Sequence, residues 1–159
     1  MDYPVILALD PGVTTGYVLA SEPRTYIECG EVVNFNDLLP VLNKADKVII
    51  ESFTLYPWKA QQQAFSNIPS AEIIGRIKEW CSINGVEVVE QQPSKRIVAT
   101  DKLLKATGVW QFTRGKKHAR DAARHLLAYY LNNGDETVLR SLWQAMVTYN
   151  ESNEFDKVE

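Results

Sequence analysis

With 159 residues, 45% of them apolar and 23% charged, the chain has room for one buried core and not for two full-sized ones. Four Trp, seven Tyr and five Phe exclude a disordered composition, and no run approaches the ~18 apolar residues of a membrane span. The net charge of −3 taken alone argues against a nucleic-acid partner, but from Lys95 to Arg124 nine basic residues stand against two acidic ones, a net +7, which an acidic C-terminal end offsets.

The expected organisation is one domain over residues 1–150 and an acidic, frayed tail over 151–159. Cys29 and Cys81 lack zinc-binding spacing and read as buried thiols in a reducing compartment. Met1-Asp2-Tyr3-Pro4 lacks the basic start of a signal peptide, so a cytoplasmic location with no membrane partner is expected.

In chain order, Val5 to Leu9 is a nearly continuous apolar run that predicts a strand buried on both faces, ended by the turn Asp10-Pro11-Gly12. Tyr17 to Ala20 predicts its hairpin partner, and a third strand is expected from about Thr25 to Val33, with a bulge at Gly30. Asp37 to Lys44 predicts a short helix with Pro40 in its early turn. The apolar strand Lys47-Val48-Ile49-Ile50 runs directly into Glu51, and residues 52–67 look like a loop rich in aromatics and Gln.

Pro69 suits the first turn of a helix that reaches about Asn84, with Ile73, Ile74, Ile77 and Trp80 as its apolar stripe and Gly85 as its stop. Val86 to Val89 predicts another strand, and Gln91-Gln92-Pro93-Ser94 a turn. Ser94 and Asp101 are expected to cap two short helical stretches, the second over Lys102 to Thr107, before an irregular basic linker. Lys117 to Asn132 predicts a helix carrying Ala119, Ala122, Ala123, Leu126, Leu127 and Tyr130 on one side. Asp135 is the expected cap of a last amphipathic helix through Leu139, Leu142, Trp143, Met146 and Val147. The alternation of elements defines an α/β domain with antiparallel and parallel parts in one sheet.

Two apolar strands end in acids, Asp10 and Glu51. An ionised carboxylate withdrawn from water costs several kcal/mol unless it is paired or bound to a metal. If the two strands are neighbours, their acids repel each other and call for a cation. A hard, oxygen-seeking one such as Mg²⁺ or Mn²⁺ suits them. In His118-Ala119-Arg120-Asp121-Ala122-Ala123-Arg124-His125 the helix period puts His118 and Asp121 on one face, with His125 a turn further along. The three alanines allow that helix close approach to a sheet.

These residues resemble the motifs of the RuvC-type Holliday junction resolvases, within the RNase H-like (retroviral-integrase) superfamily, and especially their divergent phage-encoded members. Ile6-Leu7-Ala8-Leu9-Asp10-Pro11-Gly12 with Thr15-Gly16-Tyr17 is similar to the first motif, and Val48-Ile49-Ile50-Glu51 to the second. Lys117 to His125 is similar to the third in its His-x-x-Asp form, and the three together span about residues 5 to 132.

The resemblance implies an RNase H-like fold: a mixed five-stranded sheet, its first three strands antiparallel and the rest parallel, flanked by helices. It implies an endonuclease of DNA recombination and repair, a homodimer that resolves four-way junctions by paired symmetric nicks, located in the host cytoplasm if phage-encoded. Asp10, Glu51, Asp121 and His118 would be the catalytic set and would hold two Mg²⁺ or Mn²⁺ ions about 4 Å apart, bridged by Asp10. His118 would ligate one ion or act on the water, with His125 as the second candidate for the histidine role. Lys102, Lys105, Arg114, Lys116 and Lys117 would contact phosphates. Phe53, Tyr56 and Trp58 are candidates to stack on junction bases.

The helix from Pro69 to Asn84 offers a dimer face, although core packing explains the same stripe. A nuclease for RNA or other branched DNA fits the same residues. The loop from Asp10 to Gly16 is also similar to the opening of actin-like and sugar-kinase-type ATP-binding proteins. Those need two related halves and do not account for the late His-x-x-Asp helix.

Overall fold

The computed structural model describes residues 3–21, 25–52 and 68–155, so Phe53, Tyr56 and Trp58 lie outside the described residues. Strands β1 (Val5–Asp10), β2 (Thr15–Ser21), β3 (Thr25–Val32), β4 (Lys47–Glu51) and β5 (Glu87–Gln91) form one sheet in the order β3-β2-β1-β4-β5. Neighbours β1–β2 and β2–β3 are antiparallel, whereas β1–β4 and β4–β5 are parallel. This is the antiparallel-then-parallel sheet expected from the sequence.

The helices are α1 (Phe35–Leu42), α2 (Ile68–Asn84), α3 (Asp101–Ala106), α4 (Val109–Phe112), α5 (Lys117–Asn133) and α6 (Glu136–Phe155), with a 3-10 segment over Pro93–Val98. Strand residues alternate between two cores, as the pleat requires. Ile6, Ala8, Val18, Ala20 and Ile49 pack beneath α3, α4, α5 and α6, whereas Leu7, Leu9, Leu19, Val48 and Ile50 pack against α1 and α2. Burial on both faces explains why β1 and β4 read as continuous apolar runs.

Helix α5 is the central element of the first core. Its Ala119, Ala122 and Ala123 are fully buried against the sheet, and Leu126, Leu127 and Tyr130 follow. Each large side chain so buried stabilises the fold by roughly 1.5–3 kcal/mol. On the other face, Ile74, Ile77 and Cys81 of α2 are buried in the second core, with Ile73 and Trp80 partly buried beside them. Core packing therefore occupies the stripe that also suggested a dimer face. No helix among the described residues is long and apolar enough to cross a membrane.

Several local expectations are corrected. The bulge lies at Ile27, not Gly30, because Leu19 pairs with Glu28 and Ala20 with Tyr26. Gly30 is opposite Tyr17, whose ring would stand 2.7–2.8 Å from a Cβ there, so the glycine gives the ring its place. Pro40 sits late in α1, which starts earlier than expected, at Phe35. Thr100, not Asp101, caps α3, its hydroxyl accepting from the Leu103 N–H at 3.2 Å. The 3-10 segment begins at Gln92-Pro93 without a side-chain cap from Ser94. Part of the basic linker forms α4, entered through Gly108 at φ 80°. Gln91 belongs to β5 rather than to a turn, and α6 continues past residue 150 to Phe155. Asp135 caps α6 as expected, accepting from the Val138 N–H at 2.9 Å.

Candidate active site

Parallel pairing of β1 with β4 brings Asp10 and Glu51 to the same edge of the sheet, since Leu9 pairs with Ile50 and each acid is the next residue. The row continues outward in both directions. Asp10 pairs with Gly16 and Gly16 with Glu31 on one side, and Glu51 pairs with Gln91 on the other. Every strand thus contributes one residue to a line across the sheet.

Helix α5 is fastened along that line. At its start the Glu31 carboxylate accepts from the His118 N–H at 2.8 Å, which satisfies one of the free donors at the helix N-terminus. Over β2, a Cβ on Gly16 would overlap the backbone of His118, so the absence of a side chain lets the helix backbone rest on the strand. Further along, the buried Gln91 side chain donates to the His125 carbonyl at 2.8 Å.

The fastening fixes which side chains meet the two acids. His118 Nδ1 lies 3.5 Å from Asp10 Oδ2, with its side chain still 42% exposed. His125 is fully buried, and its Nε2 lies 2.9 Å from Glu51 Oε2. Ligand atoms of Asp10, Glu51 and His125 all fall within 4.8 Å of one another, a grouping that includes neither His118 nor Asp121. Asp121 is one helical turn from each histidine, and its charge acts on Asp10.

The two acids respond differently to this setting. Burial, followed by the charge of Asp121, pushes the Asp10 carboxyl above the ordinary aspartate value against the pull of His125 and His118. Burial also acts to raise Glu51, but the contact with His125 and the charge of Arg96 outweigh it and hold Glu51 below the ordinary glutamate value. Arg96 reaches in from the 3-10 segment, its guanidinium 3.5 Å from Glu51 Oε2. Arg124 turns toward the loop side, donating to the Ala99 carbonyl at 2.8 Å and pairing with Asp101, with Asp121 3.7 Å away.

Sequence reasoning placed Asp10, Glu51, Asp121 and His118 in one neighbourhood but missed Arg96 and Gln91. Nothing in a turn-like Gln-Gln-Pro-Ser-Lys-Arg stretch marks either. The heptad spacing of His118 and His125 was the signal for a second histidine on the same face.

Glu51 Oε2 and both ring nitrogens of His125 are buried without a hydrogen-bond partner. Two carboxylates and an imidazole facing one another, with buried donor atoms left over, fit a divalent cation. The turn between β1 and β2 serves the loop itself, as the buried Thr15 hydroxyl donates to the Gly12 carbonyl at 3.4 Å.

The five basic residues expected to contact phosphates, Lys102, Lys105, Arg114, Lys116 and Lys117, are all exposed. Lys105 Nζ lies 4.8 Å from the centre of the Trp110 ring, and the Arg120 guanidinium stacks on the same ring at 3.8 Å. Arg120 also donates to the Trp110 carbonyl, so it braces α4 against α5.

The sheet order, its mixed directions and the helices on its two faces define an RNase H-like fold. Among solved structures the chain is similar to RuvC of T. thermophilus in complex with Holliday junction substrate. The identity is 17%, the alignment covers 82% of this chain and 96% of that one, and the TM-score is 0.63. No protein-family profile and no curated protein matches the sequence.

Proposed function

We propose that this chain is a divalent-metal-dependent endonuclease for branched DNA that resolves four-way junctions. The observation that carries the reading is the placement of α5 across the strand ends, with His118 3.5 Å from Asp10 and the charge of Asp121 acting on it, while Asp10 and Glu51 end neighbouring parallel strands. The fold shared with RuvC, solved with a Holliday junction, supports the same choice of substrate.

Asp10, Glu51 and Asp121 would hold Mg²⁺ or Mn²⁺, with His118 beside them. The bound cation would lower the pKa of the attacking water and stabilise the departing 3′ oxygen. Asp10, raised by burial and then by the charges of Asp121 and Glu51, is the carboxylate that gains most from a cation. His118, at the rim and half in solvent, is placed to take or return a proton at Nδ1. Arg114 and Lys116 precede α5 and Lys117 opens it; these three would hold the scissile strand, while Lys102 and Lys105 would hold a flanking arm. Paired nicks need two active sites, so the proposal includes a homodimer.

The test is incubation of the chain with Mg²⁺ or Mn²⁺ and labelled four-way junctions, flaps, duplexes and RNA–DNA hybrids. Symmetric nicks in the junction alone are expected. Cleavage confined to hybrids or flaps would replace the substrate assignment, and no cleavage of any substrate would remove the nuclease reading.

A further inference from the structure

We propose that His125 is itself a cation ligand, completing with Asp10 and Glu51 a mixed oxygen–nitrogen site that favours Mn²⁺-like transition-metal ions over Mg²⁺. The proposal rests on the metal-dependent reading above and deepens it by naming the donor set and the class of ion.

His125 is fully buried, yet neither of its ring nitrogens has a hydrogen-bond partner. A buried histidine kept only for packing would be expected to satisfy at least one of them, because a buried donor or acceptor left without a partner is costly. Its Nε2 comes to 2.9 Å from Glu51 Oε2 without hydrogen-bond alignment, and that oxygen is also left unsatisfied. Asp10 supplies the third donor, all three lying within 4.8 Å of one another. A single cation among them could take one ligand atom from each.

The backbone is arranged to hold the ring there. Gln91, the strand-end neighbour of Glu51, binds the carbonyl of His125 itself, so the same edge of the sheet fixes both the carboxylate and the imidazole. His118 is placed otherwise, exposed at the rim and directed at Asp10. Imidazole suits first-row transition dications, of which Mn²⁺ is the hardest and also takes carboxylates, whereas Mg²⁺ keeps to oxygen donors and water. The nitrogen donor therefore biases the site toward the transition metals.

The experiment is pulsed electron paramagnetic resonance on the untagged full chain loaded with Mn²⁺, reading couplings to ligand nitrogen. The chain has only two histidines, so in His118→Asn any imidazole coupling must come from His125. The expected result is that His118→Asn keeps the coupling and His118→Asn/His125→Asn loses it. Mn²⁺ affinity should fall on the order of 10- to 100-fold in His125→Asn, and Mg²⁺ affinity by less.

Absence of coupling in His118→Asn, or its persistence in the double variant, would overturn the proposal. If His125→Asn does not fold, the His118→Asn spectrum decides alone, since it leaves His125 in place. Nitrogen coupling in a protein that cuts no DNA supports this inference while removing the nuclease reading. Cleavage with no coupling does the reverse.

Discussion

Gly16 and His118 are in backbone contact: a single carbon added to Gly16 would overlap the His118 carbonyl. That contact lets α5 lie against the strand paired with Asp10, and so sets the distance between the late helix and the first acid.

Gly16→Ala should therefore do more than overpack the core. The neighbouring atoms are backbone, which cannot rotate away, so the helix start must lift. A loss of about 1–3 kcal/mol in urea unfolding is expected. Mn²⁺-induced thermal stabilisation should be lost with it. Unchanged Mn²⁺ stabilisation in the variant would show that the contact does not position the site.

The raised pKa of Asp10 has a definite sign. Its folded-state value lies above the unfolded one, so its contribution to stability is present at low pH and is lost as pH rises through the folded value. Without divalent ions, Asp10→Asn should melt higher than the unmodified chain at pH 7, with the gap closing toward pH 4. The same variant should bind branched DNA and fail to cut it. Melting curves in chelator from about pH 4 to pH 7 check the first expectation; a less stable variant at neutral pH would contradict it.

Gln91 joins β5 to α5 through one buried hydrogen bond. Gln91→Leu keeps the volume and removes the bond, at an expected cost of about 1 kcal/mol. Because the bond ends on His125, Mn²⁺ affinity should fall by on the order of tenfold while far-ultraviolet dichroism stays the same. An unaltered affinity would mean that α5 is held over Glu51 by apolar packing alone.

The exposed basic residues give a prediction in salt. If Arg114, Lys116 and Lys117 contact phosphates, replacing each with Ala should weaken junction binding and lower the slope of log K against log salt by about 0.9. Lys105 is partly engaged by the Trp110 ring, so Lys105→Ala should change the slope less. Equal salt slopes for the unmodified chain and Lys117→Ala would place that side chain off the DNA path.

By itself the sequence determined the α/β alternation, the strands that end in Asp10 and Glu51, and the alanine-lined helix carrying Asp121 and two histidines. These are local: strand burial, turn chemistry and helical period are written in neighbouring residues. Only the tertiary structure decided that His125 meets Glu51, that Glu31 caps α5, and that Gln91 holds its middle. Those contacts depend on strand register and on how a helix is seated across a sheet. His118 and His125 share a face but lie about 10 Å apart along the axis, which carries the helix from one strand end past the next. Which histidine reaches which acid was therefore settled by the seating of α5, and Gly16 is the residue that permits that seating.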